Sequence, residues 1–395
     1  MGADVVLFFI FLLSIAAILR GDFVFTLLYL LAGVLLLGRA WSQALMQRLR
    51  VTRRMVTHAF LGEQVTVRLG IANPSLLPAV WLHVQEHLTI ELGWRTPFER
   101  VISLNPFGRT ELEYRLRAYK RGVYAVGPAT VISGDLLGLT RDERRETQSA
   151  CLVVYPQIVP LTRLSLPSRS PLGTLRHTQP VFEDPSRVLS KRDYVAGDSL
   201  RRVDWKASAA AGRPLVKQYE PSIALETMLL LNLNAAEYPT QQRVDSTELG
   251  IVLAASLANW IVGQRQAVGL VTNGRDPSAA GAAPAALPSR KGRPHLIHVL
   301  ETLARLQPAE GLGFAELIRQ QAKRLPWGTT LILITGSTDE PLFDAIFQCQ
   351  RRGQQVVLIL AGLGANLTES QRRAAAFGIP VHGFRRVDDL DVWRR

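Results

Sequence analysis

The 395-residue sequence has few cysteines and a shortage of acidic residues. Its two cysteines, Cys151 and Cys349, lie far apart, whereas a secreted domain that depends on disulfides uses more. The soluble part therefore lies in a reducing compartment or does without disulfides, and we expect both cysteines to be small apolar core residues. The 33 acidic residues face 46 lysines and arginines, a formal net charge of +13. Such an excess suits nucleic acid, anionic lipid or an acidic protein, and composition does not choose among them.

Common motifs of catalysis and cofactor binding are also missing. No GxxxxGK[ST] loop occurs, and Gly362–Gly364 lacks the third glycine of a dinucleotide loop. His295 and His298 have no cysteine or acidic neighbour before Glu301, which favours packing or surface roles over zinc. The basic residues are spread along the chain without a recognisable nucleic-acid module. We therefore predict a protein that is not an enzyme, with no cofactor, no small-molecule substrate and no nucleic-acid partner.

Long apolar runs are present, and they lie at the start of the chain. Val5–Leu19 and Phe23–Leu37 carry no charge and are separated by the polar turn Arg20–Asp22. A cleaved signal peptide would begin with positive charge, but Asp4 is the only charge before the first run. We predict an uncleaved transmembrane hairpin. Each run gives about 22 Å of helix, so either the bilayer thins locally or the hairpin enters without fully crossing.

The orientation of the hairpin follows from its flanking charges. Five arginines follow the second run before the first acid, Glu63. The positive-inside rule places this cluster, and hence both termini and the soluble domains, on the cytoplasmic side of the cell membrane. The same side chains are candidates for contact with anionic lipid headgroups. These arginines are Arg39, Arg48, Arg50, Arg53 and Arg54.

Residues 51–155 follow a β pattern, after a hairpin and basic flank at 1–50. Alternating segments separated by proline and glycine predict a small β-sandwich. Residues 156–225 read as a connecting segment, extended over 156–190. The predicted strands are Gln64–Ile71, Pro78–Glu86, Arg109–Arg117 and Gly122–Val131.

Residues 226–395 alternate between short apolar strands and amphipathic helices. This alternation predicts a doubly wound, mostly parallel α/β sheet, whose ligands bind at the carboxyl ends of the strands. Asp276–Arg293, rich in glycine, proline and alanine, is predicted to be a loop. The predicted strands are Glu226–Leu233, Ala267–Thr272, Thr329–Thr335, Gln355–Leu360 and Pro380–Phe384. The predicted helices are Ser246–Val262, His295–Leu306, Phe314–Arg324, Glu340–Arg352 and Glu369–Phe377.

Between these regions lies a segment dense in charge and aromatics, Asp193–Glu220, which we call the signature segment. Asp198 is predicted to cap a helix that starts at Ser199 and ends at Gly212. On that helix Arg201 and Arg202 would be i,i+4 neighbours of the Trp205 and Lys206 side chains. A strand is predicted to follow at Leu215–Tyr219.

The signature segment resembles that of the domain-of-unknown-function 58 family. The family pattern is a tyrosine, a Gly-Asp pair, Arg-Arg, Asp-Trp-Lys and Gly-Arg. Arg121–Tyr124 and Gly134–Leu139 are similar to two further family elements, although Leu136–Leu137 replaces Pro-Phe in the second. The whole chain follows the family layout. The matching positions are Tyr194, Gly197, Asp198, Arg201, Arg202, Asp204, Trp205, Lys206, Gly212 and Arg213.

The resemblance implies a membrane-associated protein whose C-terminal region resembles a von Willebrand factor A domain. Members are usually encoded beside MoxR-type AAA+ ATPases and are thought to help them assemble or remodel other proteins. It therefore implies a scaffold or adaptor with the ATPase and membrane lipid as partners.

The charged signature segment has two interpretations. In the structural one, Arg201, Arg202 and Lys206 pair with Asp198 and Asp204 while Trp205 packs into the α/β domain. In the functional one, the segment is a docking face for an acidic partner. Residues 187–217 hold eight basic side chains and three acids, so internal pairing cannot neutralise them all. The candidate partner-binding residues are Tyr194, Asp198, Arg201, Arg202, Asp204, Trp205, Lys206 and Arg213.

A von Willebrand-type metal site needs Asp-x-Ser-x-Ser after the first strand, since hard oxygen ligands suit magnesium. The matching positions here are Asn232, Asn234 and Ala236, and Thr335–Ser337 stands where Thr-Asp-Gly is expected. Asp339 lies further along. We therefore expect a degenerate site without metal, whose asparagines hydrogen-bond loop backbone. The alternative function is a metal-dependent adhesion receptor or a hydrolase acting at the α/β loops.

Overall fold

The structure is a computed structural model. It describes residues 11, 14, 22–88, 98–134, 141–146, 148–162, 183–195, 203–221, 226–278, 285–326, 328–362 and 367–394. The chain forms two compact units, Met1–Gln157 and Ile158–Arg395. The finer division into four segments stays a prediction.

The first unit begins with a long helix, α1, at Asp22–Arg48. The predicted run Phe23–Leu37 is therefore helical, and the helix continues eleven residues further. Of the first predicted run, Val5–Leu19, only Phe11 and Ser14 are described, and both are helical. Along α1 large apolar side chains are exposed, as expected of a helix without a water-soluble fold around it. The exposed side chains are Phe23, Leu27, Tyr29, Leu30, Val34, Leu36 and Leu37.

The end of α1 packs against the β domain. Leu45, Met46 and Leu49 are buried in one of its hydrophobic cores. The Arg144 guanidinium donates to the Met46 carbonyl at 2.6 Å and the Leu49 carbonyl at 3.0 Å. A cation there satisfies carbonyls left open at a helix C-terminus. The helix and the β domain are therefore rigidly joined.

After α1, the described residues of the first unit form ten strands. They form three sheets with the orders β1-β3-β6, β2-β10-β7 and β5-β4-β8-β9. The predicted sandwich is confirmed, but the predicted strand Gly122–Val131 is wrong as one strand, because Gly127 and Pro128 interrupt it and proline has no N–H for a ladder. The strands are β1 Arg50–Arg54, β2 His58–Phe60, β3 Gln64–Ala72, β4 Ala79–Glu86, β5 Phe98–Leu104, β6 Arg109–Arg117, β7 Gly122–Val126, β8 Ala129–Gly134, β9 Arg141–Arg145 and β10 Ala150–Tyr155.

A buried ion pair lies within the β domain. The Arg53 guanidinium pairs with Glu86, whose side chain is fully buried, and also donates to the Gln148 carbonyl at 2.9 Å. The Tyr114 hydroxyl donates to the same carboxylate at 2.5 Å. Burial, together with the Glu86 charge, raises the pKa of Tyr114. Arg53 is therefore not a candidate for headgroup contact, because its charge is satisfied by Glu86 inside the β domain.

The cysteines differ from expectation in one respect. Both are free thiols, but Cys151 is exposed on β10 and only Cys349 is buried. Burial raises the pKa of the Cys349 thiol to about 11. The prediction of two core cysteines is thus right for one residue and wrong for the other.

The second unit contains an antiparallel pair of strands and an α/β sheet. The pair is formed by β11 at Glu183–Asp193 and β12 at Leu215–Pro221, with a short helix, α2, at Trp205–Ala211 between them. Residues 183–190 of the predicted extended connection are therefore part of a paired strand. The strand predicted at Leu215–Tyr219 is confirmed.

The α/β sheet has six strands in the order β15-β14-β13-β16-β17-β18, parallel except for the edge strand β15. The predicted doubly wound sheet is confirmed, although the predicted loop Asp276–Arg293 contains β15. Its strands are β13 Glu226–Leu231, β14 Ala267–Thr272, β15 Ala285–Arg290, β16 Thr330–Thr335, β17 Gln355–Ala361 and β18 Val381–Phe384. Its helices are α3 Arg243–Gly263, α4 Arg293–Arg305, α5 Phe314–Arg324, α6 Glu340–Arg351, α7 Leu367–Ala375 and α8 Asp391–Arg394.

Two helices in the described chain are long and apolar enough to cross a membrane, Phe25–Arg48 of α1 and Arg243–Gly263. The apolar stretch of α3 is 72% buried inside the protein, so α3 is the core helix of the α/β sheet. The corresponding stretch of α1 is only 17% buried. Of the two, only α1 presents an apolar surface to its surroundings.

Candidate functional site

The carboxyl end of β13 carries the degenerate metal position predicted from the sequence. Asn232 is fully buried there. Its Nδ2 donates to Glu237 Oε2 at 2.7 Å and to Thr335 Oγ1 at 3.0 Å. Its Oδ1 accepts from the Asn234 backbone N–H at 3.0 Å and from Asn273 Nδ2 at 3.1 Å. The Asn232 amide therefore uses all of its hydrogen-bonding capacity inside the protein.

Glu237 supplies the negative charge at this end of the sheet, and sequence reasoning missed it. Its Oε1 accepts from Asn234 Nδ2 at 3.1 Å and from the Phe314 backbone N–H at 2.9 Å. Phe314 is the first residue of α5, so the carboxylate also interacts favourably with a helix N-terminus. The carboxylate thus ties the loop after β13 to the start of α5.

Tyr238 also contributes hydrogen bonds at this end of the sheet, which we call the mouth of the sheet. Its hydroxyl donates to the Asn232 carbonyl at 2.7 Å and accepts from the Gly336 N–H at 3.2 Å. Burial raises the pKa of Tyr238, which keeps the phenol protonated and able to donate. A Cβ at Gly336 would collide with the Tyr238 ring. Glycine is therefore required where a von Willebrand-type site has its aspartate.

The remaining predicted donors do not form a cation site. Ala236 is exposed and has no side-chain oxygen, and the Asp339 carboxylate accepts from the Leu342 N–H at 3.1 Å as the cap of α6. In the part of the chain that the structure describes, no group of three or more His, Cys, Asp or Glu side chains could hold a metal ion. The side-chain amide nitrogens of Asn232 and Asn234 both donate to the Glu237 carboxylate. A divalent cation would need oxygen ligands at the positions that these N–H groups occupy. These residues do not fit a divalent metal.

The prediction that Asn232 and Asn234 hydrogen-bond to loop backbone is confirmed in part. Asn234 Oδ1 accepts from the Ala236 N–H at 3.2 Å, as expected for bonding to loop backbone. The amide nitrogens instead bind the Glu237 carboxylate, and Asn273 arrives from the end of β14. The only sequence signal for this contact was the presence of Glu237 five residues after Asn232. Sequence spacing does not show that the Glu237 side chain points toward the asparagines.

The signature segment folds differently from its prediction. Val203 pairs with Val216 of β12, so its backbone is extended. Asp204 is the N-cap of α2, and its carboxylate accepts from the Ala207 N–H at 3.2 Å. A helix running continuously from Ser199 is therefore wrong, and the predicted i,i+4 pairs involve Arg201 and Arg202, which lie outside the described residues. Gly212 ends α2 in the left-handed conformation, as predicted.

The charges of this segment are arranged in short pairs. Lys191 of β11 lies 2.9 Å from Asp204, and Arg213 lies 3.2 Å from Asp193. The hydrogen bond from Lys191 is the main reason that the pKa of Asp204 lies below its usual value. The structural interpretation pairs Asp204 with a basic residue among Arg201, Arg202 and Lys206. Among the described residues, the basic partner of Asp204 is instead Lys191.

Trp205 is 68% exposed at the first position of α2. The interpretation in which it packs into the α/β domain is therefore wrong. Lys206, beside it, is exposed, and the Tyr194 N–H donates to the Pro214 carbonyl at 3.0 Å. Five predicted site residues thus lie in one strand–helix–strand element, namely Tyr194, Asp204, Trp205, Lys206 and Arg213. Asp198, Arg201 and Arg202 lie outside the described residues.

The strand order, the antiparallel edge strand and the intervening helices give residues 226–394 of the second unit a von Willebrand factor A-like α/β fold. Residues 190–359 match the family described as "Protein of unknown function DUF58", which confirms the predicted family resemblance. The match begins in β11, includes the signature segment and ends in β17.

Curated relatives of the chain are themselves uncharacterised. The chain is 23% identical over 256 residues to the uncharacterised protein YeaD of Bacillus subtilis, covering 63% of this chain and 58% of that protein. It is 30% identical over 118 residues to the uncharacterised protein Mb1516 of Mycobacterium bovis, covering 30% of this chain and 35% of that one. The chain therefore spans little more than half of one relative and about a third of the other.

Among solved structures, the chain is similar to a von Willebrand factor type A protein from Catenulispora acidiphila. The identity is 15% and the TM-score 0.31, over 46% of this chain and 42% of that one. It is also similar to the CARDB domain of the PF1109 protein from Pyrococcus furiosus, at 17% identity and a TM-score of 0.21, over 27% of this chain and 86% of that one. Scores this low carry no functional argument.

Proposed function

We propose that this protein is a membrane-anchored, cytoplasm-facing adaptor that presents its signature segment to an acidic partner protein. The family resemblance suggests a MoxR-type AAA+ ATPase as that partner, in the assembly or remodelling of other proteins. The observation that carries the proposal is the 68% exposure of Trp205 beside the exposed Lys206 on α2. Tryptophan is enriched among the residues that dominate binding energy in protein interfaces.

The scaffold around Trp205 supports this role. The Asp204 cap, the bridge from Val203 to Val216 and the Gly212 stop hold α2 between two paired strands. A backbone that is already ordered loses less conformational entropy when a partner binds. The segment is therefore preorganised to present an aromatic anchor.

The charge balance supports an acidic partner. Two of the three acids in residues 187–217 are Asp193 and Asp204, and each is already paired with a basic residue of the same element. Eight basic residues against three acids leave a positive surplus on this segment. Such a surplus raises the association rate with an acidic surface and makes it sensitive to salt.

Helix α1 supports membrane anchoring. At 27 residues it is about 40 Å long, and its apolar side chains are exposed along the Phe23–Leu37 run. The arginines that follow favour the cytoplasmic side for the soluble units. The closed polar network at Asn232 supports work by surfaces rather than by a reaction centre, so we propose no enzymatic activity.

Crosslinking in native membranes, followed by identification of what is joined to residues 187–217, tests the partner. We expect an AAA+ ATPase with an acidic surface among the products. Charge reversal of Arg201 and Arg202 to glutamate should reduce its recovery several-fold, whereas the matched control Arg290→Glu, on the exposed edge strand β15, should leave recovery unchanged. Equal recovery of the partner with the native chain, the Arg201 and Arg202 double variant and the Arg290→Glu control would contradict docking at this segment.

A further inference from the structure

Two neighbouring loops of the β domain expose large apolar side chains at their tips. Leu76 lies between β3 and β4 and is 75% exposed, and Phe107 lies between β5 and β6 and is 62% exposed. The Phe107 N–H donates to the Ser75 carbonyl at 3.2 Å, and the Asn73 N–H donates to the Gly108 carbonyl at 2.9 Å. We call residues 73–78 and 105–108 the loop pair. Its two tips are held side by side by backbone hydrogen bonds.

The loop pair is rigid, because a buried asparagine lies at its centre. Asn73 is 1% exposed and its Nδ2 donates to the Leu77 carbonyl at 2.7 Å and the Asn105 carbonyl at 3.3 Å. Its Oδ1 accepts from the Ser75 hydroxyl at 2.6 Å. Phe107 has a φ of 57°, a left-handed conformation that is uncommon for a bulky residue. The exposure of the two tips is thus maintained by the fold.

Trp41 fixes the loop pair to helix α1. Its indole Nε1 donates to the Pro78 carbonyl at 3.1 Å. Trp41 follows the last residue of the apolar run, Leu37, by four positions, or about 6 Å along the helix axis. With that run in the bilayer, Trp41 lies at headgroup depth, where tryptophans are enriched. The loop pair is bonded to it at about the same depth.

Positive charge borders the loop pair. Arg109 begins β6 two residues after Phe107, and Arg50 aligns with it across Ala72 in the sheet register. Both side chains are exposed, and neither forms a hydrogen bond or ion pair with the side chain of another described residue. They line a groove of about 480 Å³ together with Arg54 and Arg68. Only Glu111 among its lining residues is acidic.

We propose that the loop pair is a second membrane contact, in which Leu76 and Phe107 enter the interface of an anionic bilayer while Arg50 and Arg109 bind lipid phosphates. This inference rests on the proposed anchoring by α1. Apolar tips beside arginines and a tryptophan, continuous with an apolar helix, fit a lipid surface better than an acidic protein. The contact would hold the β domain against the membrane rather than leave it free to tilt.

Spin labels in the full-length chain test the contact. Leu76→Cys and Phe107→Cys would be labelled in a Cys151→Ser background, with Cys349 buried, and reconstituted into nanodiscs with about one-third anionic phosphatidylglycerol. Tyr119→Cys is the matched control, because Tyr119 is 61% exposed beyond the opposite end of β6. Nine residues of strand place it about 27 Å from the loop pair. Accessibility to oxygen and to a water-soluble nickel chelate would be compared by electron paramagnetic resonance.

We expect the ratio of oxygen to nickel accessibility at positions 76 and 107 to exceed that at 119 by at least threefold. Substituting Arg50 and Arg109 by glutamine should lower this ratio at both tips. Equal ratios at the three positions in an integrated chain would overturn the second contact and leave anchoring intact. Failure of the chain to enter nanodiscs would overturn the anchoring itself. Shielding of the tips only after a protein partner is added would assign the surface to protein instead of lipid.

Discussion

The mouth of the α/β sheet and the signature segment are both rich in polar residues, but they use them in opposite ways. At the mouth, the Asn232, Asn234 and Glu237 side chains satisfy one another and adjacent backbone groups. In the signature segment, Trp205 and Lys206 face solvent on a helix held in place by backbone pairing. Hydrogen-bonding groups that are satisfied internally stabilise the fold, whereas exposed ones remain available to a partner.

The largest effect is expected at the mouth. Glu237→Ala removes one acceptor from each of the Asn232 and Asn234 amides and from the Phe314 N–H, so we expect the free energy of unfolding to fall by about 2–4 kcal/mol. Glu237→Gln, the matched control, keeps one acceptor oxygen and should cost less. Urea unfolding of the full-length chain in detergent, followed by circular dichroism, measures both. A loss below about 0.5 kcal/mol in the alanine variant would show that the network is not structural.

The opposite result is expected in the signature segment. Trp205→Ala should lower recovery of the crosslinked partner about tenfold, since exposed tryptophans are frequent hot spots, while the unfolding midpoint stays unchanged. Tyr119→Ala removes a similarly exposed aromatic from the β domain and should change neither quantity. If Trp205→Ala lowers the unfolding midpoint and leaves partner recovery unchanged, the role of Trp205 is structural, like that of the residues at the mouth of the sheet.

Calorimetry with Mg²⁺ or Mn²⁺ tests whether the polar residues at the mouth of the sheet bind a metal ion. We expect no heat of binding to the native chain, because amide nitrogens point at the Glu237 carboxylate. Asn232→Asp places a second carboxylate beside Glu237, so heat should appear only in that variant. A clear heat with the native chain would revive the alternative of a metal-dependent receptor or hydrolase.

The smallest effect concerns pH at the start of α2. The folded state lowers the pKa of Asp204, chiefly through Lys191, so its contribution is present above the unfolded pKa of about 4. The contribution is lost as the pH falls through the folded value. Amide exchange at Ala207, after subtraction of the intrinsic pH dependence, should therefore show less protection in acid. Asp204→Asn should remove this dependence, and an unchanged profile in that variant would contradict the assignment.

The sequence predicted elements with strong periodicity well and predicted contacts poorly. Ala267–Thr272 and Phe314–Arg324 have the same bounds in both, because one carries a continuous apolar run and the other an amphipathic pattern. Strands β1, β2, β5, β9, β10, β11 and β15 were not predicted individually. In β9, Arg141–Arg145, no residue is apolar, so its place in the sheet depends on pairing with β8. The helix predicted from Ser199 failed because pairing of Val203 with Val216 overrode local propensity.

The sequence by itself determined the apolar start of the chain, the sandwich followed by an α/β sheet, the family motif and the missing metal donors. These features depend on the order and periodicity of residues, which sequence displays directly. Only the tertiary structure decided that Arg53 is buried against Glu86, that Glu237 fills the mouth of the sheet and that Trp205 faces solvent. Burial and hydrogen-bond partners depend on residues distant in the chain, and no local pattern encodes where such residues meet.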